Sequence, residues 1–258
     1  MVTIMIDIRL GDCLELFKSI EDNSIDLIVT SPPYNKRGLQ GNQLKNSQIW
    51  SAGDIQYDSY GDDMKEEEYY KWQVDILNEC YRVLKPTGSV FYNHKVRRFD
   101  SMAHFPNWVF DSKLKFYQMI TWDRMSNANV CDRFLFPNTE LIFWLTKDSP
   151  KVHKDKAMFK NEVWRISPKA DSEHPAPFPI EIPTNCILLT TDVGDTVLDP
   201  FSGSGTTGCA CKGTNRNYIG FEISQKYVDI SKERINNYID GQSNIFKCDV
   251  CTNKAGLW

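Results

Sequence analysis

Residues 196–222 constrain the fold more than any other stretch. Thr196-Val197-Leu198 is a short apolar strand that ends in Asp199-Pro200-Phe201. The turn Ser202-Gly203-Ser204-Gly205 follows, and Thr206 to Lys212 starts a helix. A second strand, Asn217 to Phe221, ends in Glu222. A strand, a glycine turn, a helix and another strand in succession demand a parallel pair and hence an α/β sheet. Glycines let a ligand approach the backbone closely, and the free amides at the helix start favour an anionic group. A lone G-x-G is a weak signal; placed between a strand and a helix it is stronger. An acid closing the second strand stands where ribose hydroxyls can donate to it, and the pairing marks an adenosine-containing ligand.

A second strand end lies far upstream. Ser24 to Val29 is a short run rich in branched residues, followed by Thr30-Ser31-Pro32-Pro33-Tyr34. Two prolines fix an extended turn and remove two backbone donors, so the carbonyls there stay free to accept. Ser31 adds a hydroxyl and Tyr34 an aromatic face. A rigid set of acceptors beside a ring suits a planar base with an exocyclic amino group. The plainer reading is a proline turn after a strand.

The rest of the chain fills in around these two ends. Its 258 residues suffice for one large α/β domain. No apolar run is long enough to span a bilayer and no signal-peptide pattern opens the chain, so a cytoplasmic protein is expected. With a net charge of −4, contact with nucleic acid requires a local basic face. Residues 4–10 read as a strand and 13–20 as a helix. Asp12 between them is either the helix N-cap or an acid at a nucleotide's polar edge. Residues 35–63 form a long polar loop leaving the proline turn, read as a mobile segment that orders over substrate. Residues 65–85 are a helix with Tyr69, Trp72, Ile76, Cys80, Val83 and Leu84 at helical spacing, a stripe read as core. Ser89 to Tyr92, Lys115 to Trp122 and Thr139 to Leu145 are strands. Trp122 and Arg124 stand at a strand end that can face the site, and His94 reads as structural. Lys147 to Lys169 carries seven basic residues against three acids and suits contact with DNA, or is a solvated connector. The eight cysteines offer no finger-like Cys/His set, so no metal is expected.

Taken together, Gly11-Asp12, T-S-P-P-Y-N at 30–35, Phe91-Tyr92-Asn93, H-P-A-P-F-P at 174–179, the glycine loop at 199–207 and Gly220-Phe221-Glu222 resemble the beta class of DNA amino-methyltransferases of restriction-modification systems. In that class the catalytic half precedes the cofactor half, a circularly permuted motif order. The resemblance covers almost the whole chain. It departs at about 148–173, where the target-recognition insert is short.

The resemblance implies a single methyltransferase domain over 1–258, with a doubly wound, Rossmann-like, mostly parallel seven-stranded sheet that binds S-adenosylmethionine. Asp199, Phe201, Gly203, Ser204, Gly205 and Thr206 would cradle the methionine part, and His174, Pro175 and Phe178 would close over it. Glu222 would hold the ribose and Asp12 the adenine edge. Ser31, Pro32, Pro33 and Tyr34 would form the catalytic set, with Ser31 also beside the cofactor. The partner is double-stranded DNA, with a cognate restriction endonuclease as a further candidate and a monomer or homodimer as the assembly. Serine at the head of the motif implies N4 of cytosine, with N6 of adenine as the alternative. RNA or protein-amide methylation fits the motif order less well, and a non-enzymatic DNA-binding module leaves the glycine loop without a role.

Overall fold

The computed structural model describes residues 3–35, 64–99, 102–125, 138–153, 161–168 and 179–238. Of the loop expected over 35–63 all but Asn35 lies outside the described residues, as do the closing run at 174–178 and residues 154–160 of the basic stretch, with its lysines at 154, 156 and 160.

The elements are β1 (Ile6–Leu10), α1 (Cys13–Phe17), β2 (Ile25–Thr30), α2 (Glu66–Val83), β3 (Leu84–His94), β4 (Arg97–Phe99), β5 (Met102–His104), β6 (Lys115–Asp123), β7 (Thr139–Thr146), β8 (Val163–Arg165), α3 (Glu181–Thr190), β9 (Thr196–Asp199), α4 (Thr206–Thr214), β10 (Asn217–Glu222) and α5 (Gln225–Asn237). Eight strands form one sheet in the order β1-β10-β9-β2-β3-β7-β6-β8, one more than the seven expected. The extra strand is β8, three residues of the basic stretch paired parallel to β6 at the sheet edge. Strands β1, β10, β9, β2 and β3 run parallel, and β7 is antiparallel to both β3 and β6. Strands β4 and β5 form a separate hairpin. No helix among the described residues is long and apolar enough to cross a membrane.

Alternation along the strands divides the core in two. Ile28, Val90, Tyr92, Leu198 and Phe221 pack with Phe17, Ile76, Leu77 and Cys80 of α1 and α2. Leu27, Val29, Phe91, Val197 and Tyr218 pack on the other face with Ile182, Ile187, Cys209 and Ile235 of α3, α4 and α5. The sheet is thus covered on both sides, as a doubly wound α/β fold requires.

Helix α2 begins with Glu66, Glu67 and Glu68 against its positive end and buries Tyr69, Gln73, Ile76, Leu77, Cys80 and Val83. Pro86 and Gly88 do not simply follow its end. Strand β3 starts at once at Leu84, and Lys85 to Gly88 bulge out between the Ile25–Leu84 and Leu27–Ser89 pairs. Lys85 Nζ lies 2.8 Å and 2.9 Å from the two Asp26 oxygens there.

Strands β2 and β9 are neighbours, but the chain leaves them in opposite directions. From β2 it runs through α2 to β3; from β9 it runs through α4 to β10. Such a topological switch point opens a crevice at the carboxyl ends of the strands. Thr30 ends β2 and Asp199 ends β9, so both motifs meet there.

Candidate active site

Asp199 joins the two halves. Its carboxylate accepts from the Thr30 hydroxyl at 2.8 Å, the Phe201 amide at 3.0 Å and the Thr207 hydroxyl at 2.8 Å. The residue is 5% exposed, and burial raises its carboxyl to about 6 against the pull of those donors. A raised acid binds more protons folded than unfolded, here between about pH 4 and 6. Its contribution to stability is therefore greatest at the acid end and is lost as pH rises through 6. Urea titrations are expected to show wild type gaining about 2–3 kcal/mol over Asp199→Asn between pH 7.5 and pH 4. A pH-independent gap would refute the raised carboxyl.

The glycine turn follows. Gly203 has φ +50° and Gly205 φ +82°, left-handed values that suit glycine. A Cβ on Gly205 would come within 2.8 Å of Ser231 Cβ, so α5 packs directly against the turn. A Cβ on Gly203 would meet nothing nearer than the Phe201 carbonyl oxygen at 4.0 Å. The space a Gly203 side chain would take is thus open. Glu222 accepts from the Gly203 amide at 2.9 Å through Oε2 and from the Ser224 amide at 2.9 Å through Oε1. Burial raises its carboxyl, and the Ser224 and Gly203 amides oppose the rise. Arg234 donates to the carbonyl and hydroxyl oxygens of Ser204. Thr206 is buried at the first turn of α4. Phe201 packs edge-on against Trp72 at 5.6 Å between ring centroids. Trp72 packs against the core, as expected, and also reaches the glycine turn. Asp12 caps α1, accepting from the amides of Leu14 at 2.9 Å and Glu15 at 3.3 Å.

The proline turn stands across the crevice. Pro32 is buried, and the Pro33 carbonyl accepts from Tyr69 at 2.6 Å. The Tyr69 hydroxyl also lies 3.0 Å from His94 Nε2, and His94 Nδ1 donates to the Lys95 carbonyl at 2.8 Å. Burial lowers His94 to about 3, which keeps it neutral. Asn35 has φ +49° and donates to the Met64 carbonyl at 3.0 Å and to Glu66 at 2.9 Å. Asn35 and Met64, the described residues on either side of 36–63, are therefore tied together.

Tyr34 does not simply present an open face. Its ring centroid is 4.6 Å from that of His94 at a 50° tilt, and Lys95 Nζ lies 5.2 Å from its centre. Its hydroxyl lies 2.9 Å from Ser31 Oγ, 3.0 Å from Glu140 Oε2 and 2.7 Å from Asn93 Nδ2. Asn93 Nδ2 also reaches Glu140 Oε2 at 2.9 Å and Ser31 Oγ at 3.3 Å. Asn93 Oδ1 is buried with no hydrogen-bond partner among the described residues. Arg124 Nη1 lies 3.3 Å from Glu140 Oε1, so the β6 strand end does join the site, through Glu140. Trp122 is buried beside it, its indole donating to the Ile166 carbonyl at 2.8 Å and its ring centre 5.6 Å from the Arg124 guanidinium. Glu140 carries no motif in the sequence. It is the second residue of β7, and the antiparallel β3–β7 and β6–β7 registers alone bring it beside Asn93 and Arg124.

Comparison with known proteins yields one family. Residues 25–233 match the family model described as DNA methylase. The Type II methyltransferase M.BglII of Bacillus subtilis is 32% identical over 272 residues, covering 91% of this chain and 70% of that protein. Among solved structures, the PvuII DNA methyltransferase (cytosine-N4-specific) superposes with a TM-score of 0.69 at 22% identity, covering 95% of this chain and 90% of that one. A Thermus thermophilus DNA modification methylase complexed with S-adenosyl-L-methionine gives 0.67 at 24% identity, over 92% and 97% of the two chains.

Proposed function

The chain belongs to the DNA methylase family, and from that premise we propose that it moves a methyl group from S-adenosylmethionine to N4 of a cytosine flipped out of DNA. The coarser statement, an S-adenosylmethionine-dependent DNA amino-methyltransferase of the N6/N4 family, follows from membership itself. The observation that carries the finer reading is Ser31, a hydroxyl rather than a carboxylate, heading a proline turn at the switch point. The cytosine-N4-specific fold neighbour supports it.

Assignment of the residues follows their chemistry. Bound S-adenosylmethionine supplies an electrophilic methyl on a sulfonium. Gly203, Gly205 and the start of α4 would receive its methionine part, and Glu222 has lone pairs left for ribose hydroxyls. Phe201, Ser204 and Thr206 would line the same turn, with Asp199 holding it to Thr30 and Asp12 near the adenine. An exocyclic amine conjugated to a base ring is a poor nucleophile because its lone pair is delocalised. Accepting its two hydrogens at Ser31 Oγ and the Pro32 carbonyl would favour a pyramidal nitrogen and aim the lone pair at the methyl; as the N–C bond forms the S–C bond breaks, the neutral thioether leaves, and the nitrogen gives up one of its two protons to solvent. A base inside a duplex cannot reach this crevice and must be flipped, with Tyr34 as its nearest aromatic neighbour. The single domain, the recognition role of residues 148–173 and action on duplex DNA belong to the same proposal.

N6 of adenine is the second reading, because its amine offers the same two hydrogens. Incubating DNA with labelled cofactor, digesting it to nucleosides and identifying the modified one by mass spectrometry separates them. N4-methylcytosine is the expected product. N6-methyladenine alone would overturn the cytosine assignment, and 5-methylcytosine the amino-methyltransferase reading itself.

A further inference from the structure

We infer that Glu140 is a positioning residue for the transfer: it sets the direction of the Ser31–Tyr34 hydroxyl chain and leaves the Ser31 oxygen able only to accept. This rests on the amino-methyltransferase reading and assigns to it a residue outside the proline motif.

The inference comes from counting hydrogens. An ionised carboxylate only accepts. Glu140 Oε2 faces the Tyr34 hydroxyl at 3.0 Å and Asn93 Nδ2 at 2.9 Å, so the single Tyr34 hydrogen points to Glu140. The Tyr34 oxygen must then accept, from Asn93 Nδ2 at 2.7 Å and from Ser31 at 2.9 Å. That commits the single Ser31 hydrogen to Tyr34. Among the described residues the remaining Ser31 lone pairs have one protein donor near them, Asn93 Nδ2 at 3.3 Å, whose two hydrogens have nearer acceptors in Tyr34 at 2.7 Å and Glu140 at 2.9 Å. An amine hydrogen is the donor this oxygen can still take. Burial and the Glu140 charge raise the Tyr34 phenol well above its ordinary value, so it keeps its proton and remains a donor.

Arg124 fixes the other end. Its Nη1 lies 3.3 Å from Glu140 Oε1, and this ion pair has 35% and 11% of the two side chains exposed. A glutamine at 140 has one oxygen and one NH2. If the oxygen faces Tyr34, the NH2 faces the guanidinium, donor against donor. If the oxygen faces Arg124, the NH2 donates to Tyr34. The Tyr34 hydrogen then turns to Ser31, and the Ser31 hydrogen turns toward the amine. Either arrangement breaks a contact, and the second reverses the chain.

The test is single-turnover transfer of labelled methyl to DNA by wild type, Glu140→Gln and the double variant Arg124→Met/Glu140→Gln. Removing Arg124 lets the glutamine present its oxygen to Tyr34 without a clash. Glu140→Gln is expected to slow transfer about thirtyfold, with S-adenosylmethionine and DNA affinities within about threefold of wild type. The double variant is expected to recover about tenfold of that loss. A purely structural role would not give this recovery, since the double variant removes more of the native contacts. Transfer by Glu140→Gln within threefold of wild type, a matching loss of cofactor affinity, or a double variant no faster than the single would each overturn the inference. Wild type that binds S-adenosylmethionine but methylates no DNA would instead overturn the proposed function, which separates the two failures.

Discussion

Replacing Ser31 with alanine is expected to lower methyl transfer by about 10²–10³-fold while leaving S-adenosylmethionine affinity within about threefold. The hydroxyl is one of two acceptors proposed for the amine, the Pro32 carbonyl being the other. Its interaction strengthens as the nitrogen turns pyramidal and gains positive charge, so its loss falls on the transition state rather than on binding. The fold should tolerate the change. Ser31 is only half-buried, and Tyr34 keeps Asn93 and Glu140 as partners. The retained Pro32 carbonyl explains why the loss is not total. Pre-steady-state transfer and calorimetric cofactor binding measure the two quantities separately. A variant with unchanged transfer rate would remove Ser31 from the chemistry. One that loses affinity and rate together would make it a cofactor ligand instead.

Much of the fold is legible in local pattern, because periodicity and turn residues report local preference. The stripe on α2 and the strand ends at Thr30 and Asp199 are of this kind. So is Gly205, whose left-handed φ and contact with Ser231 leave no room for a side chain. What escaped depends on register. Glu140 looks like any acid near the start of an apolar strand; only its pairing opposite Trp122, with β3 on the other side, brings it to Tyr34. Strand β8 sits in a basic stretch without clear alternation and becomes a strand only because the β6 edge accepts it. Trp72 fits the helical stripe by spacing, yet tertiary packing places it on Phe201. Asn93 lies in a recognisable strand, but its role rests on three acceptors contributed by β7 and the proline turn.

The proposed cofactor half makes the second large prediction. Glu222→Ala is expected to weaken S-adenosylmethionine binding by about 1.5–3 kcal/mol, the range of charge-assisted hydrogen bonds to a carboxylate. Glu222 ends β10 beside the glycine turn, and one amide holds each of its oxygens, Gly203 on Oε2 and Ser224 on Oε1. The carboxylate is thus oriented before any ligand arrives, and each oxygen keeps a second lone pair for a ribose hydroxyl. Alanine removes that acceptor and also leaves the Gly203 amide without its partner, so the turn itself loosens. Glu222→Gln is no mild control. Its NH2 would face either the Gly203 or the Ser224 amide, donor against donor, and glutamine should bind little better than alanine. Because burial raises the Glu222 carboxyl, acid should protonate it sooner than an ordinary glutamate and weaken wild-type binding. The alanine variant should lack that part of the pH dependence. Titration calorimetry across the acid range decides it: equal affinity in wild type and variant, or an unchanged pH profile, would take Glu222 out of the cofactor site.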